Sequence, residues 1–538
     1  MPLPRQAYLG LARGGDAERP VLIIQSIRKF VRNRRANVAL TTALAALPLS
    51  MMLGMGIDIG NATRVRMALQ DATDEAAISL ARQAPSIADS AISSTALSFI
   101  QSNYKATSAS TVSITNATID RNTITATLDA QARAPTYFSQ LVGVSSMPVT
   151  AHAVAKGMLL EISMVLDTSG SMSQSAGSGG SKISALKTAA DEFLDAMFGT
   201  QTTSQRVSIG IVPFAASVNV GSANANAAWM DTTGASSIAE EDFSSNAKTR
   251  WALFNDMGVA WKGCVITRPS VNDYDVKDVT ASSSDPDSLF VPWFAPDEPD
   301  GDNGGLNTGS FNNNYLNDEG GNCSGANTNK SVTDATKQAR TCKYKNATPA
   351  GGLGPNYLCD SNAITPLTSA RSTLDSAVSA LQANGNTNIL EGLTWGWRVL
   401  SPGAPFTQGK TYTAPNNRKV IVLMTDGVNN LNGVSNFDHS DYTSYGYMIK
   451  GRVGSTSSNN TTLTSALDAR TATACANAKA QGILIYTIGF GAGAAGSTSL
   501  LQGCATDPKY AYFPQNSSDL SPVFAKIAQS INSLRIAE

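Results

Sequence analysis

A stretch of 22 uncharged residues near the N-terminus constrains this chain more than any other feature. Residues 36–57 read ANVALTTALAALPLSMMLGMGI, and five basic side chains between Arg28 and Arg35 precede them. At about 1.5 Å per residue, a helix of this length crosses the roughly 30 Å apolar core of a bilayer. The basic flank on one side and Asp58 on the other predict a single transmembrane helix, with residues 1–35 in the cytoplasm and the rest exported.

A cleaved signal peptide is the alternative to an anchor. The basic lead and the apolar run are both long for a signal peptide, and no obvious small-residue cleavage site follows Ile57. We therefore predict an uncleaved anchor.

The charge is unevenly distributed along the chain. The formal net charge is −1, yet residues 1–57 hold eight basic side chains against two acidic ones, so the exported part is acidic. Binding to nucleic-acid phosphates needs clustered cations, which excludes a nucleic-acid partner for the exported part.

All six cysteines follow the predicted anchor. An even number in an oxidising compartment favours disulfides over metal sites or catalytic thiols, and the chain has no CxxC pair. Cys475 lies on a predicted helix before the strand ILIYTIGF and Cys504 just after that strand, so we expect these two to pair. The other four allow three pairings, which stay open: Cys264, Cys323, Cys342 and Cys359.

The segment that follows the anchor has a mixed pattern. Residues 59–106 predict one long helix, continuous with the span, whose apolar face carries Val65, Ala68, Leu69, Ala72, Ala76 and Leu80. Strand-like runs follow at 111–120, 122–132 and 147–155. We interpret residues 58–156 as a small pilin-like α+β stalk.

From residue 157 onward, strands alternate with helices, which predicts an α/β domain with a doubly wound, mostly parallel sheet over 157–538. The rhythm breaks between about 220 and 363, a stretch rich in Gly, Asn, Asp and Ser that holds four of the cysteines. Loops this long are unusual in a compact domain, so we interpret it as an irregular insertion tied by disulfides. Its acidic run (Asp297, Asp300, Asp302, Asn303) could suggest a calcium site, but Phe311 stands where an EF-hand needs its glutamate. We therefore expect this run to be a solvated loop.

Three short segments carry oxygen-bearing side chains at the ends of predicted elements. Asp167-Thr168-Ser169-Gly170-Ser171 follows the first strand of the sheet, Asn386-Thr387-Asn388 precedes the helix ILEGLTWGWRVL, and Thr425-Asp426-Gly427 ends the strand VIVLMTD. Ligands bind at the carboxyl ends of the strands in open α/β sheets. Hydroxyl and carboxylate oxygens are well suited to Mg²⁺ or Mn²⁺ and poorly suited to zinc. The predicted metal-site residues are Asp167, Ser169, Ser171, Thr387 and Asp426.

The pattern DxSxS…T…TDG resembles the metal-ion-dependent adhesion site (MIDAS) of von Willebrand factor A (VWA) domains. This resemblance implies that Ser169, Ser171 and Thr387 coordinate the ion through their hydroxyls, while Asp167 and Asp426 act largely through bound waters. It also implies that the ion accepts a carboxylate from a protein partner.

The N-terminal segment RRANVALTTALAALPLSMMLGMGIDIGNATRVRMALQDATDEAA resembles TadG-like proteins of Flp pilus assembly, with a basic flank, a span containing proline and an LQxAxDxAA helix. The similarity extends to WKGC at 261–264, PWFAPD at 292–297 and Leu534-Arg535. It implies a single-pass protein of the bacterial inner membrane that assembles or anchors adhesive pili and is not an enzyme.

Two other functions compete with metal-mediated adhesion. One is a structural minor-pilin component in which the metal only stabilises the fold. The other is an envelope hydrolase or a chelatase-like partner of an ATPase, which no catalytic dyad, Walker loop or nucleotide site in the sequence supports.

Overall fold

The computed structural model describes residues 34–84, 87–105, 111–121, 124–177, 180–244, 248–300 and 311–533. The chain divides into two compact units, and the second begins essentially at Lys156. The fold is of the predicted mixed α/β kind, with a long apolar N-terminal helix and a mostly parallel sheet in the second unit.

The first unit combines two helices with a three-stranded antiparallel sheet in the order β1-β2-β3. Its elements are α1 (Arg34–Gln83), α2 (Ile92–Asn103), β1 (Ser113–Asp120), β2 (Thr125–Pro135) and β3 (Ser146–Lys156).

Helix α1 runs without a break from the apolar span into the amphipathic stretch, as the pattern predicts. The single helix expected over 59–106 is wrong, because α1 ends at Gln83 and a separate helix begins at Ile92. The sequence has a proline at position 85, and a proline disfavours the helical conformation of the residue before it. The end of α1 close to this position is therefore explained by the sequence.

The predicted apolar face of α1 forms the core of the first unit. Val65, Leu69 and Leu80 are fully buried against the inward side chains of β2, which include Leu128. The alternating burial of β2 is the period-two pattern of a sheet with one covered face. Further toward the N-terminus the large apolar side chains of α1 are exposed, and this is the one helix in the described ranges long and apolar enough to cross a membrane.

The second unit is built on a six-stranded sheet in the order β6-β5-β4-β7-β8-β9, in which only the β5–β6 pair is antiparallel. Its strands are β4 (Leu159–Asp167), β5 (Val207–Phe214), β6 (Thr365–Thr368), β7 (Asn417–Thr425), β8 (Leu484–Gly489) and β9 (Ala511–Tyr512). Its helices are α3 (Lys182–Phe198), α4 (Arg250–Met257), α5 (Asp334–Gln338), α6 (Arg371–Ala380), α7 (Ile389–Leu400), α8 (Asn460–Ala480), α9 (Thr498–Cys504) and α10 (Ser517–Ser533).

Both faces of this sheet are covered. On β4, Ile162 and Met164 point to a core shared with α3, α6 and α10, whereas Val165 points to the opposite core, shared with α7 and α8. Burial on both sides explains why the central strands are continuous apolar runs.

The stretch expected to be an insertion packs against the α7 side of the sheet. Its aromatic side chains, among them Phe290 and Phe294, are buried in the same core as Trp395 of α7, and the Phe290 and Trp395 rings lie 4.7 Å apart. Disulfides join Cys264 to Cys359 and Cys323 to Cys342. A third joins Cys475 on α8 to Cys504 at the end of α9, the pair expected from the sequence.

The acidic run in this stretch is not solvated where the structure describes it, and that expectation is wrong. Asp297 is fully buried with its carboxylate 2.7 Å from the Lys343 ammonium, which also lies 2.9 Å from Asp318. Asp300 is likewise buried, and its backbone N–H donates to Asp318. The remaining members, Asp302 and Asn303, lie outside the described residues.

Candidate metal site

The predicted site residues lie where the chain leaves two neighbouring central strands. Strands β4 and β7 are paired in parallel and end at Asp167 and Thr425. The helices that follow them, α3 and α8, cover opposite faces of the sheet. This is the topological switch point at which open α/β sheets form a ligand crevice.

Asp167 is fully buried at the end of β4, and both of its carboxylate oxygens accept hydrogen bonds. Oδ1 accepts the Ser169 backbone N–H at 2.8 Å and Oδ2 accepts the Thr425 hydroxyl at 2.6 Å. The first contact shapes the turn after β4, and the second links the ends of the two strands.

The two serines of the turn lie side by side. Ser169 Oγ and Ser171 Oγ are 3.1 Å apart, and the Ser171 hydroxyl donates to Asp426 Oδ1 at 2.6 Å. The turn therefore joins Asp426, which follows β7, to the residues that follow β4.

A third segment is fastened to this turn through its backbone. The Asn384 N–H donates to the carbonyl of Thr168, and the Gly170 N–H donates to the carbonyl of Gly385, both at 2.8 Å. A Cβ on Gly170 would lie 3.3 Å from the Gly385 carbonyl oxygen, so glycine at this position permits the close approach. These contacts bring the start of the segment that carries Thr387 to the turn.

Thr387 is mostly buried beside the end of β7. Its carbonyl accepts the Asn430 N–H at 2.8 Å, and a Cβ on Gly427 would lie 3.8 Å from its hydroxyl oxygen. The structure thus gathers all five predicted residues at one crevice. Asp167, Ser169, Ser171 and Asp426 are linked by hydrogen bonds to one another and to Thr425. Thr387 is held nearby by the backbone hydrogen bonds of residues 384 and 385 to the turn.

Lys182, the first residue of α3, places a cation in this crevice. Its ammonium lies 2.7 Å from Asp426 Oδ2, and its side chain is only 11% exposed. The sequence did not predict this contact. A basic residue at the first position of a helix is disfavoured by the helix dipole, which hints at an acidic partner, but which carboxylate it meets depends on how α3 and β7 approach each other.

The charge of the crevice favours a bound cation. Burial and the neighbouring Asp426 carboxylate raise the pKa of Asp167 to about 6, because two negative charges in a buried site repel. Lys182 supplies one positive charge to Asp426. A divalent ion would stabilise both carboxylates in their charged form.

The donor set fits a small, hard divalent ion. It consists of serine and threonine hydroxyls with two carboxylates, the oxygen ligands that Mg²⁺ and Mn²⁺ prefer. Within the part of the chain that the structure describes, no cluster of three or more His, Cys, Asp or Glu side chains is placed to hold a metal. A site at this crevice would therefore rely on hydroxyls, which leave a metal more electrophilic than a ring of carboxylates would.

Comparison with known proteins confirms the N-terminal resemblance. The family model described as "Putative Flp pilus-assembly TadE/G-like" matches residues 36–91. No curated protein matches the chain.

Several solved structures are similar to the chain. The vWF domain of the type V pili tip protein Mfa5 from Porphyromonas gingivalis is 12% identical, with 71% of this chain and 98% of that one covered and a TM-score of 0.32. The pilus adhesin SpaC from Lactobacillus rhamnosus GG is 12% identical, with coverage of 79% and 35% and a TM-score of 0.30. Proximal thread matrix protein 1 from the mussel byssus, with a zinc-occupied MIDAS motif, is 10% identical, with coverage of 70% and 46% and a TM-score of 0.28. The chain thus spans about a third of SpaC and less than half of the byssus protein.

Proposed function

We propose that this chain, whose residues 36–91 match the TadE/G-like pilus-assembly family, is a membrane-anchored, extracytoplasmic protein of Flp-type pilus assembly or surface adhesion. It binds a protein partner through Mg²⁺ or Mn²⁺ and is not an enzyme. The single observation that carries the metal-dependent part is the convergence of three distant segments, at 167–171, 384–388 and 425–427, on one crevice lined with hydroxyls and carboxylates.

In this proposal the hydroxyls of Ser169, Ser171 and Thr387 hold the ion, and Asp167 and Asp426 act largely through water. The ion supplies Lewis acidity toward a carboxylate of the partner. The protein holds the donors in place through the contacts of Asp167 with Ser169 and Thr425, which fix the turn before any partner arrives.

The proposed layout assigns residues 1–35 to the cytoplasm, 36–57 to the inner membrane, 58–156 to a pilin-like stalk and 157–538 to a VWA domain with an insertion at about 220–363. The basic residues before the span and the three disulfides after it support an exported C-terminal part. Protease added to spheroplasts should degrade the region after residue 58. Complete protection would contradict this orientation.

The adhesion function is tested by capturing envelope proteins on the full chain with Mg²⁺ or with a chelator. We expect capture to need the metal and to be lost in Asp167→Ala and Ser169→Ala. Ser173→Ala is the matched control, because Ser173 is an exposed serine on the same turn whose hydroxyl donates to the Gly170 carbonyl rather than to Asp167 or Asp426.

Capture that is unaffected by chelator and by both site variants would refute metal-mediated adhesion. If the same variants unfolded at a lower temperature while capture persisted, the structural minor-pilin role would be supported instead.

A further inference from the structure

The first unit exposes a concentrated set of apolar side chains on one loop. Residues 136–145 connect β2 to β3 and contain no charged side chain. The exposed apolar side chains of this loop are Tyr137, Phe138, Leu141, Val142 and Val144. Leu141 is the most exposed of these five, at 72%. Water-facing surfaces of soluble domains rarely concentrate large apolar groups in this way, and such a patch marks an interaction site.

The loop is fixed to helix α1 at the residue that follows the apolar span. The buried carboxylate of Asp58 accepts the backbone N–H of Tyr137 at 2.7 Å, of Phe138 at 3.1 Å and of Ser139 at 2.7 Å. The Ser139 hydroxyl donates to the same carboxylate at 2.8 Å. The position of the loop along α1 is therefore set by specific contacts.

Contact with the helix continues into the span itself. A Cβ on Gly54 would lie 2.4 Å from the Phe138 ring, so the ring rests directly on the helix backbone at that glycine. Gly54 is three residues before Ile57, which places the ring about 5 Å inside the end of the apolar span at about 1.5 Å per residue. That depth corresponds to the boundary between headgroups and acyl chains.

Most backbone N–H groups of the loop are hydrogen-bonded within the protein. Besides the three N–H groups held by Asp58, the Leu141 N–H donates to the Phe138 carbonyl and the Gly143 N–H to the Gln140 carbonyl, both at 3.0 Å. Few backbone donors are left that need water, which is the condition for placing irregular backbone near hydrocarbon.

We propose that the loop 136–145 inserts its apolar side chains into the interface of the bilayer that α1 crosses, on the exported side. The partner is a lipid surface, chosen because the loop continues the apolar surface of the span and lies at its end. Tyr137 acts there as an interfacial aromatic anchor, while the Phe138 ring packs against α1 at Gly54. This inference rests on the proposed membrane anchor and adds a second membrane contact to it, which would limit rotation of the first unit about α1.

The test uses the full chain in phospholipid vesicles, with a fluorescent label on one introduced cysteine. All six native cysteines are in disulfides, so Leu141→Cys supplies the single free thiol. Met52→Cys, in the span, is the positive control. Thr118→Cys, exposed on β1 and away from the loop, is the negative control. The measurement is quenching by lipids that carry a nitroxide near the top of the acyl chain.

We expect roughly twofold quenching and a blue-shifted emission for the label at position 141, as for a group buried at the acyl boundary. The label at position 118 should be unaffected. Quenching at position 52 without quenching at position 141 would overturn the loop proposal and leave the anchor intact. Absence of quenching at position 52 would overturn the anchor, and the loop proposal with it.

Discussion

At the scale of single residues, the candidate site is governed by charge balance. Asp167 and Asp426 are both buried, and the only cation that the structure places against either carboxylate, within the described residues, is the Lys182 ammonium. A lysine at this position stabilises Asp426 without an ion. A divalent metal approaching Asp426 therefore competes with an ammonium group that is already in contact.

Replacing Lys182 with methionine should raise the affinity for Mg²⁺. A hydrogen bond to a charged group contributes about 1.5–3 kcal/mol, so removing the competitor should tighten metal binding by about tenfold or more. Titration calorimetry measures the change. Lys187→Met is the control, because Lys187 lies on the same helix and donates to the carbonyl of Ser379 instead. Unchanged or weaker binding by the Lys182 variant would show that the ammonium does not compete.

A second residue-scale prediction concerns Asp438, whose carboxyl is buried and accepts the Gln338 side-chain N–H at 2.9 Å. Burial raises the pKa of Asp438 to about 8. The folded protein then holds a proton that the unfolded chain releases near pH 4. Stability is therefore highest at low pH with respect to this group, and it falls as the pH rises from about 4 to about 8.

Asp438→Asn cannot ionise, so its free energy of unfolding should fall less between pH 5 and pH 9, by at least about 1 kcal/mol. Denaturant unfolding at several pH values measures this difference. Asp195→Asn is the matched control for the change from aspartate to asparagine, at a carboxylate that is 70% exposed and paired with Arg371. If the free energy of unfolding of the Asp438 variant fell with pH as steeply as that of the wild type, the raised pKa would not belong to Asp438.

At the scale of elements, helix α7 packs unusually close to the sheet. It carries glycine at positions 392 and 396, one turn apart on the same face. A Cβ at Gly392 would lie 2.6 Å from the Phe214 ring, and one at Gly396 would lie 2.3 Å from Val165. These glycines let α7, whose N-terminus follows Thr387, lie directly on β4 and β5.

Gly396→Ala should destabilise the protein by about 1–3 kcal/mol, because the added methyl group overpacks a closed interface. The control is Gly503→Ala in α9, where a Cβ meets nothing within 4 Å and the gain in helix propensity should leave stability equal or slightly higher. Urea unfolding compares the two. Equal stabilities of the two variants would mean that α7 is not in close contact with the sheet.

Elements were predicted well where one period dominates the sequence. The helix ILEGLTWGWRVL has the expected bounds, and the runs VIVLMTD and ILIYTIGF form the expected strands β7 and β8. Strands β6 and β9 were not predicted, because they have four and two residues at the edges of the sheet. Segments that short carry no periodicity, and only pairing with a neighbouring strand defines them.

At the scale of the whole molecule, the stretch from about 220 to 363 forms part of the hydrophobic core of the second unit and is not only a surface insertion. Phe290 and Phe294 are buried on the α7 side of the sheet, and Cys264 is bonded to a partner 95 residues later. The pairing of the four cysteines in this stretch could not be predicted from the sequence, because cysteine spacing alone does not fix disulfide connectivity. Nor did it predict burial of Asp297, since the balancing Lys343 is distant in the chain.

The candidate site followed a different rule. That the five residues hold a metal stays a prediction. Thr387, which precedes a helix, was named from the MIDAS-like pattern. The other four could be named in advance because the ends of parallel strands meet at one edge whatever the loops between them do. Lys182 and the hydrogen bond from Thr425 to Asp167 could not, since both depend on how α3 and β7 approach each other in three dimensions.

Direct measurement of metal binding tests the central claim. Titration calorimetry of the full detergent-solubilised chain with Mg²⁺ and Mn²⁺ should give one ion per chain for the wild type and for Ser173→Ala. Binding should be lost in Asp167→Ala and Ser169→Ala, because each removes side-chain oxygen from the crevice; circular dichroism of both variants checks that they are folded. Absence of binding by the wild type, or binding by the two site variants that is as tight as that of the wild type, would contradict the account.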